Sequence, residues 1–292
     1  MSSEAPADVV ERQEWLEPVE SGLQKAVSSA YRSTGTPGRK VENFLHGVWL
    51  GHPLHPVLTD IPLGGFTAAL VLDIAEASGA RGVARGADIA VEVGLAGAAG
   101  AALTGLTDWH VTDGDARRVG VVHGLLNLTS TGLYIASLVQ RKAGNRATGR
   151  ALAFAGFAIS SAAAWLGGHL VYSKQVGVNH TAGEQIPLDW TPVLDDAQLR
   201  EGEMRRATAG TVKILLVRCS NRIHAISEVC SHFGGPLAEG TLEGAVVQCP
   251  WHGSRFCVED GSVVDGPATH PQPSFDTRVY NGKIEVRGRR SD

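Results

Sequence analysis

Two long runs without a formal charge constrain the fold of this chain more than any other feature of its sequence. They occupy residues 119–140 and 151–173. Each is long enough to cross a hydrocarbon layer of about 30 Å as an α-helix, which needs roughly 20 apolar residues. The sequence therefore predicts two membrane-spanning helices in the middle of the chain.

Two weaker apolar runs, residues 57–75 and 89–107, precede these spans. The acidic residues Asp60, Asp73 and Glu92 lie near the ends of the runs, where carboxylates can reach the lipid headgroups. A Gly/Ala-rich stretch in the second run is typical of helices that pack closely in lipid. Two buried helices of a soluble protein are the alternative, but the strong spans beside them favour a four-span, all-α membrane domain over residues 51–176.

The first 50 residues are predicted to be a polar N-terminal segment with surface helices. The stretches "EWLEPVESGLQKAVSSAY" and "KVENFLHGVWLG" carry apolar residues at helical spacing on an otherwise polar background. Helices that lie on the membrane surface have this pattern. Helices that pack against another part of the protein have it too, so both alternatives remain open.

Histidines accumulate at one end of the four predicted spans. An even number of spans places the start of the first and the end of the last on the same side of the bilayer, and all seven histidines up to residue 180 lie on that side. Four of them are candidate ligands: His55, His110, His123 and His169. One explanation is that histidines are tolerated near the lipid headgroups without forming a site. A haem b or quinone site is the sharper alternative, with His123 and His169 as axial ligands because they lie at similar depths on successive antiparallel helices.

The texture of the sequence changes near residue 187, where long apolar runs give way to short strand-like runs. We therefore predict a linker over residues 177–188 and a second domain over residues 189–289. Acidic and basic residues are nearly balanced, 30 against 26, which argues against a nucleic-acid-binding face. Four cysteines are too few for a disulfide scaffold in a chain of 292 residues, so metal binding is the better hypothesis for them.

Two short motifs in the second domain pair a cysteine with a histidine. The first, "CSHFGGPL", contains Cys230 and His232, and the second, "CPWHG", contains Cys249 and His252. Glycine and proline in both motifs provide the turns that would hold two ligands per loop. Two thiolates and two imidazoles could hold one zinc ion.

The surrounding residues 190–287 resemble the Rieske [2Fe-2S] domain, from "ILLVRCSNRIHAISEVCSHFGGPL" to "VVQCPWHGSRFCVEDGSVVDGPA". The resemblance implies an all-β antiparallel sandwich in which the two cysteines bind one iron and the two histidines bind the other. It also implies that the Ser254 hydroxyl contacts a bridging sulfide, while Phe256 replaces a tyrosine of the high-potential relatives. We therefore expect a potential between the ferredoxin-like and quinol-oxidising extremes.

Two further sequence features bear on the same domain. Respiratory members of the family join their ligand loops by a disulfide, whose positions correspond to Gly235 and Trp251, so that bridge is not expected. Cys219 and Cys257 are expected to be packing residues rather than ligands.

The expected function is that of a membrane-tethered one-electron carrier rather than a complete terminal oxygenase, because an oxygenase would need a mononuclear iron domain after the Rieske module. Residues 46–179, with "HPLHPVLTDIPLG", resemble an uncharacterised family of four-helix membrane domains that brings no activity. The expected electron partners are other redox proteins, or a haem or quinol in the membrane domain. A redox-sensing or assembly protein that uses the membrane domain only as an anchor is the alternative.

The predicted location is the cell membrane, with several spans. Positive charges on the two sides of the spans are nearly equal and do not decide the orientation. No adjacent arginine pair lies directly before the first or the last span, which favours a Rieske module that faces the cytoplasm.

Overall fold

The structure is a computed structural model, and it describes residues 6–289. The described chain falls into two compact units. One unit comprises the residues up to Gly38 together with Pro53–Val176, and the other comprises Arg39–His52 together with the residues from Gly177 onward.

Four long helices dominate the first unit. They are α4 (Leu54–Ala77), α5 (Ala84–Trp109), α6 (Gly114–Lys142) and α7 (Arg146–Tyr172). All four are long and apolar enough to cross a membrane, by length and composition. The two weaker runs are therefore helices of the same kind as the two strong ones, and the predicted four-helix bundle is confirmed.

Successive helices in this bundle form two antiparallel hairpins, α4–α5 and α6–α7. Glycine allows close approach within the first hairpin, because a Cβ at Gly65 would lie 2.8 Å from Ala90 O and from Gly94 N. Ion pairs join the helices at the end of the bundle that carries the α4–α5 and α6–α7 loops. There Arg141 binds Asp73 and Asp88, and its side chain is fully buried.

Two short N-terminal helices, α1 (Pro6–Glu11) and α2 (Glu17–Ser33), belong to the same unit. The fully buried Glu20 accepts hydrogen bonds from Arg117 Nε at 3.0 Å and Arg118 Nε at 3.2 Å, which fixes α2 against the first turns of α6. The apolar side chains of Val19 and Leu23 remain exposed. Polar residues of α2 therefore pack against the bundle, while these two apolar residues do not.

The second unit contains ten strands in two antiparallel sheets. The larger sheet has the order β1-β10-β9-β4-β3-β2 and the smaller one the order β5-β6-β7-β8. The strands are β1 (Thr191–Asp195), β2 (Met204–Ala209), β3 (Val212–Cys219), β4 (Arg222–Ser227), β5 (Thr241–Glu243), β6 (Val246–Gln248), β7 (Arg255–Cys257), β8 (Val263–Asp265), β9 (Ser274–Tyr280) and β10 (Lys283–Gly288). This architecture confirms the predicted all-β sandwich.

Apolar side chains alternate along the strands and form two cores in this unit. Ile214 and Leu216 face one core, while Leu215 and Val217 face the other, as the two-residue period of a strand requires. Cys230 and Cys249 belong to the second core. The ligand loops are therefore anchored in packed apolar side chains.

The residues before the first long helix are divided between the two units. The predicted N-terminal segment is divided, because helix α3 (Thr36–His46) begins in the first unit and ends in the second. Asn43 donates to Asp265 Oδ1 at 2.9 Å and accepts from Gly266 N at 2.9 Å. These bonds to β8 and the residue after it attach the end of α3 to the sandwich.

Candidate metal centre

Two loops bring together the four residues predicted as ligands. The first loop follows β4 and carries Cys230 and His232, and the second lies between β6 and β7 and carries Cys249 and His252. The two cysteines are buried, and both imidazoles are partly exposed, with ring centroids 5.1 Å apart. The four side chains therefore converge from two loops, as the sequence motifs predicted.

Each loop folds back on itself by the same pair of backbone bonds. Cys230 N donates to Gly235 O at 2.9 Å, and Gly234 N donates to Cys230 O at 2.8 Å. In the second loop, Cys249 N donates to Ser254 O at 2.8 Å, and Gly253 N donates to Cys249 O at 3.2 Å. Gly234 and Gly253 have φ of +74° and +80°, a left-handed conformation that glycine adopts without strain.

The loops touch at Gly235. A Cβ at this position would lie 2.8 Å from Cys249 Sγ and 3.1 Å from Trp251 Cδ2, so a larger residue would press on the ligand. Gly235 and Trp251 are the positions where respiratory relatives are expected to carry their disulfide. Their proximity fits that correspondence, and neither residue can form the bridge.

The donor set fits the iron-sulfur cluster that the motifs imply. His232 Nδ1 is buried and has no hydrogen-bond partner among the described residues, so it is free to bind a metal. Backbone N–H groups of His232 and Phe233 point at Cys230 Sγ, and those of Trp251 and His252 point at Cys249 Sγ. Such donors stabilise thiolates.

The two thiols also interact directly. A hydrogen bond from the Cys230 thiol, followed in importance by the backbone N–H donors, lowers the pKa of Cys249 to about 7 against the opposing effect of burial. The same hydrogen bond, together with burial, raises the pKa of Cys230. Burial lowers the pKa of His232, so its imidazole is neutral and able to coordinate a metal.

Ser254 lies directly behind the second loop and is fully buried. Its hydroxyl oxygen accepts from Ala268 N at 3.0 Å, and no acceptor for its hydrogen lies within the described part of the chain. The hydroxyl is therefore available as a donor, as the predicted contact with a bridging sulfide requires. Phe256, also fully buried, has no polar atom to add a second donor.

The two other cysteines lie apart from these loops at strand ends. Cys219 ends β3 and packs at the edge of the second core, and Cys257 ends β7. Both are half-buried free thiols. Cys219 therefore packs as predicted, and the packing role of Cys257 stays a prediction.

In the first unit, the structure pairs the predicted histidines differently from the depth argument. The His55 and His123 rings are neighbours, with centroids 6.5 Å apart. His169 Nε2 instead contacts Glu11 Oε1 at 2.9 Å, and His110 lies beside Tyr31. Depth along a helix does not determine the direction a side chain faces, so depth alone does not predict that His55 lies beside His123.

Comparisons with known proteins agree with this geometry. Residues 189–276 match the Rieske [2Fe-2S] domain, and residues 51–180 match a family described as predicted membrane protein (DUF2231). The chain is 32% identical over 100 residues to ferredoxin CarAc of Metapseudomonas resinovorans, covering 34% of this chain and 94% of that protein. It is 36% identical over 91 residues to the 3-phenylpropionate/cinnamic acid dioxygenase ferredoxin subunit of Escherichia coli K12, covering 31% of this chain and 85% of that protein.

Two other matches cover the same region. Apoptosis-inducing factor 3 of Mus musculus is 35% identical over 89 residues, which are 30% of this chain and 15% of that protein. A solved complex of reduced oxygenase and oxidised ferredoxin in carbazole 1,9a-dioxygenase contains a chain that is 31% identical, with a TM-score of 0.33, covering 37% of this chain and 98% of that one. The chain belongs to the Rieske [2Fe-2S] family, joined here to a membrane domain that matches DUF2231.

Proposed function

We propose that this protein is a membrane-tethered one-electron carrier whose cluster is held by Cys230, His232, Cys249 and His252. The observation that carries the proposal is the convergence of two thiols with two imidazoles. Backbone N–H groups donate to both thiols, and His232 has a buried Nδ1 without a hydrogen-bond partner among the described residues. A bound [2Fe-2S] cluster supplies a reversible one-electron acceptor at this site.

The residues around the site act on that electron in two ways. Backbone N–H groups and the Ser254 hydroxyl place positive dipoles beside the sulfur atoms, which favours the more negative, reduced state. His232 and His252 are partly exposed, so their imidazole edges are the route by which an electron leaves the site. Trp251, 57% exposed beside His252, offers an aromatic contact for a docking protein.

The electron partner belongs to one of two classes. Several similar proteins are named as ferredoxins or as ferredoxin subunits of dioxygenases, which supports a second redox protein as the partner. The four apolar helices support a partner within the bilayer, either a quinol or a haem held by membrane-domain histidines. We place the Rieske domain on the cytoplasmic side of the cell membrane.

A reduction experiment on the full chain in detergent micelles tests this function. The protein is reduced with dithionite, freed of reductant and mixed with ferricytochrome c, while the cluster absorbance and the haem absorbance are followed together. We expect one electron per chain to leave the cluster and reach the cytochrome. A matched Cys249→Ser variant, which lacks a ligand, should transfer none.

Two outcomes would contradict electron transfer as the function. The reduced cluster could fail to reduce ferricytochrome c, or each chain could deliver electrons without any change in cluster absorbance. A second arm adds a short-chain ubiquinol to the oxidised protein, and loss of the oxidised absorbance would assign the bilayer partner to the quinol class. Binding partners that change with cluster reduction, without electron transfer, would favour the redox-sensing alternative.

A further inference from the structure

The four-helix bundle repeats one helical hairpin. A shift of 68 positions places α4 on α6, with His55 on His123, and a shift of 62 places α5 on α7, with Gly105 on Gly167. Several other aligned positions carry identical residues: Leu58 and Leu126, Gly64 and Gly132, Ala68 and Ala136, Leu70 and Leu138, Val71 and Val139, and Gly94 and Gly156. The first helices of the two hairpins run in the same direction, as in parallel membrane repeats.

Equivalent residues of the two hairpins contact each other at three depths of the bundle. The His55 and His123 rings are 6.5 Å apart, and Phe66 stacks on its equivalent, Tyr134, at 3.7 Å between centroids. Further along the same helices, Asp73 pairs with its equivalent, Arg141. Residues related by a twofold axis can meet only beside that axis, so a pseudo-twofold axis runs between α4 and α6.

Each hairpin contacts its histidine in the same way. His55 Nδ1 lies 2.9 Å from Ala101 O, and His123 Nδ1 lies 2.8 Å from Ala163 O, the equivalent carbonyl. The rings occupy space that glycine leaves open, since a Cβ at Gly105 would lie 2.8 Å from His55 Cε1 and one at Gly167 would lie 3.1 Å from His123 Cε1. The two hairpins therefore hold their imidazoles by equivalent contacts.

These bonds fix the protonation of each ring. A carbonyl oxygen can only accept, so Nδ1 carries the hydrogen and Nε2 keeps its lone pair. His123 Nε2 accepts from Asn127 Nδ2 at 3.1 Å, and His55 Nε2 has no hydrogen-bond partner in the described chain. Histidines that bind metals donate one ring N–H to a carbonyl in this way and bind the metal through the other nitrogen. A metal bound to His123 would therefore displace the hydrogen bond from Asn127.

The histidines also differ from the other pairs on the axis. Phenylalanine faces tyrosine, and aspartate faces arginine, but both hairpins retain histidine. Two imidazoles on opposite sides of one metal, with metal–nitrogen distances of about 2.0 Å, have ring centres roughly 6–6.5 Å apart. The observed 6.5 Å is of this size.

We propose that His55 and His123 form a two-histidine binding site for a transition metal on the pseudo-twofold axis of the membrane domain. Imidazole suits iron, copper and zinc, so the metal is either a bare ion or the iron of a haem. The inference deepens the proposed function and rests on it for an electron-transfer role, because it names the histidines that would hold a redox group in the bilayer.

The test uses the full chain in detergent micelles, titrated separately with hemin and with Cu²⁺. Hemin binding is followed by its Soret band and Cu²⁺ binding by nitrogen hyperfine structure in its EPR spectrum, so the two arms distinguish haem from a bare ion. We expect one of the probes to bind once per chain. Affinity should fall about tenfold or more in His55→Ala and in His123→Ala, and it should persist in the control variants His110→Ala and His169→Ala.

Loss of binding through misfolding is separated from loss of a ligand by imidazole rescue. Added imidazole should restore probe binding to His123→Ala, whose elution volume on size exclusion should match the wild type. The site is wrong if neither probe binds stoichiometrically, if both histidine variants bind as the wild type does, or if imidazole restores nothing to a normally eluting variant. If the cluster is present but no metal binds at His55 and His123, only the two-histidine site is wrong. If a metal binds there but the cluster is absent, only the proposed function is wrong.

Discussion

At the scale of single residues, the cluster site depends on where hydrogen-bond donors lie relative to the sulfur atoms. The convergence of the four proposed ligands was predictable, because two pairs of cysteine and histidine in turn-rich loops are typical of a metal centre. The donors were only partly predictable. Ser254 followed from the resemblance, but the backbone N–H groups aimed at Cys230 and Cys249 depend on loop conformations that residue identity does not encode.

Replacement of Ser254 by alanine tests the hydroxyl donor. A donor beside a sulfide favours the reduced cluster, so its loss should lower the reduction potential, by about 60 mV if the lost preference is about 1.4 kcal/mol. The measurement is an EPR-monitored potentiometric titration of the full chain. Ser262→Ala, an exposed serine in the same domain, should leave the potential unchanged. An unchanged or higher potential in Ser254→Ala would exclude the hydroxyl as a donor to the cluster.

Ionisation of Glu184 should make the free energy of unfolding depend on pH. Burial raises the pKa of its carboxyl above the ordinary value, and the hydrogen bond from Ser227 Oγ at 2.7 Å only partly offsets that effect. The folded state therefore binds this proton more tightly than the unfolded state. The contribution of the protonated carboxyl to the free energy of unfolding is fully present below pH about 4.5 and is lost as the pH rises through the raised pKa. Glu184→Gln should remove this loss.

Thermal unfolding of the full chain, followed by the visible circular dichroism of the cluster from about pH 4 to about pH 7, measures the effect. The difference in melting temperature between Glu184→Gln and wild type should grow in favour of the variant as the pH rises. Glu259→Gln changes an exposed carboxyl and serves as the control. A difference that stays constant with pH would show that Glu184 ionises as it does in the unfolded chain.

At the scale of elements, the four spans were predictable because length and absence of charge are one-dimensional properties. The observed helices extend a few residues beyond the predicted runs, since Arg146 and Arg141 satisfy their charges in ion pairs with Glu76, Asp73 and Asp88. The lateral pairing of helices was not predictable from depth. The contact of His55 with His123 depends on glycines in α5 and α7, and the repeat that signals it was visible only by aligning the two hairpins.

The ion pairs at the loop end of the bundle should dominate its stability. Arg141→Met leaves Asp73 buried without its partner, a change that typically costs about 3–5 kcal/mol. The neighbouring Lys142, 71% exposed in its ion pair with Glu92, provides a matched control, and Lys142→Met should cost at most about 1 kcal/mol. The free energy of unfolding in mixed SDS micelles measures both. Equal losses in the two variants would refute the role of the buried pair.

At the scale of the whole molecule, the chain combines four long apolar helices with a Rieske domain that is similar to ferredoxins. The change of texture near residue 187 predicted a division, and the second unit includes the residues from Gly177 onward. The attachment of the end of α3 to the sandwich was not predictable. Asn43 lies in a polar stretch, and its hydrogen bonds to Asp265 and Gly266 join residues more than 200 positions apart in the sequence.

The most direct test of the account is pulsed ENDOR spectroscopy of the dithionite-reduced full chain, labelled with ¹⁵N-histidine. Coordination by two imidazoles predicts two nitrogen couplings to the reduced cluster, from His232 and His252, that change with the label. A colourless protein that contains zinc, or a reduced cluster without nitrogen couplings, would contradict the account.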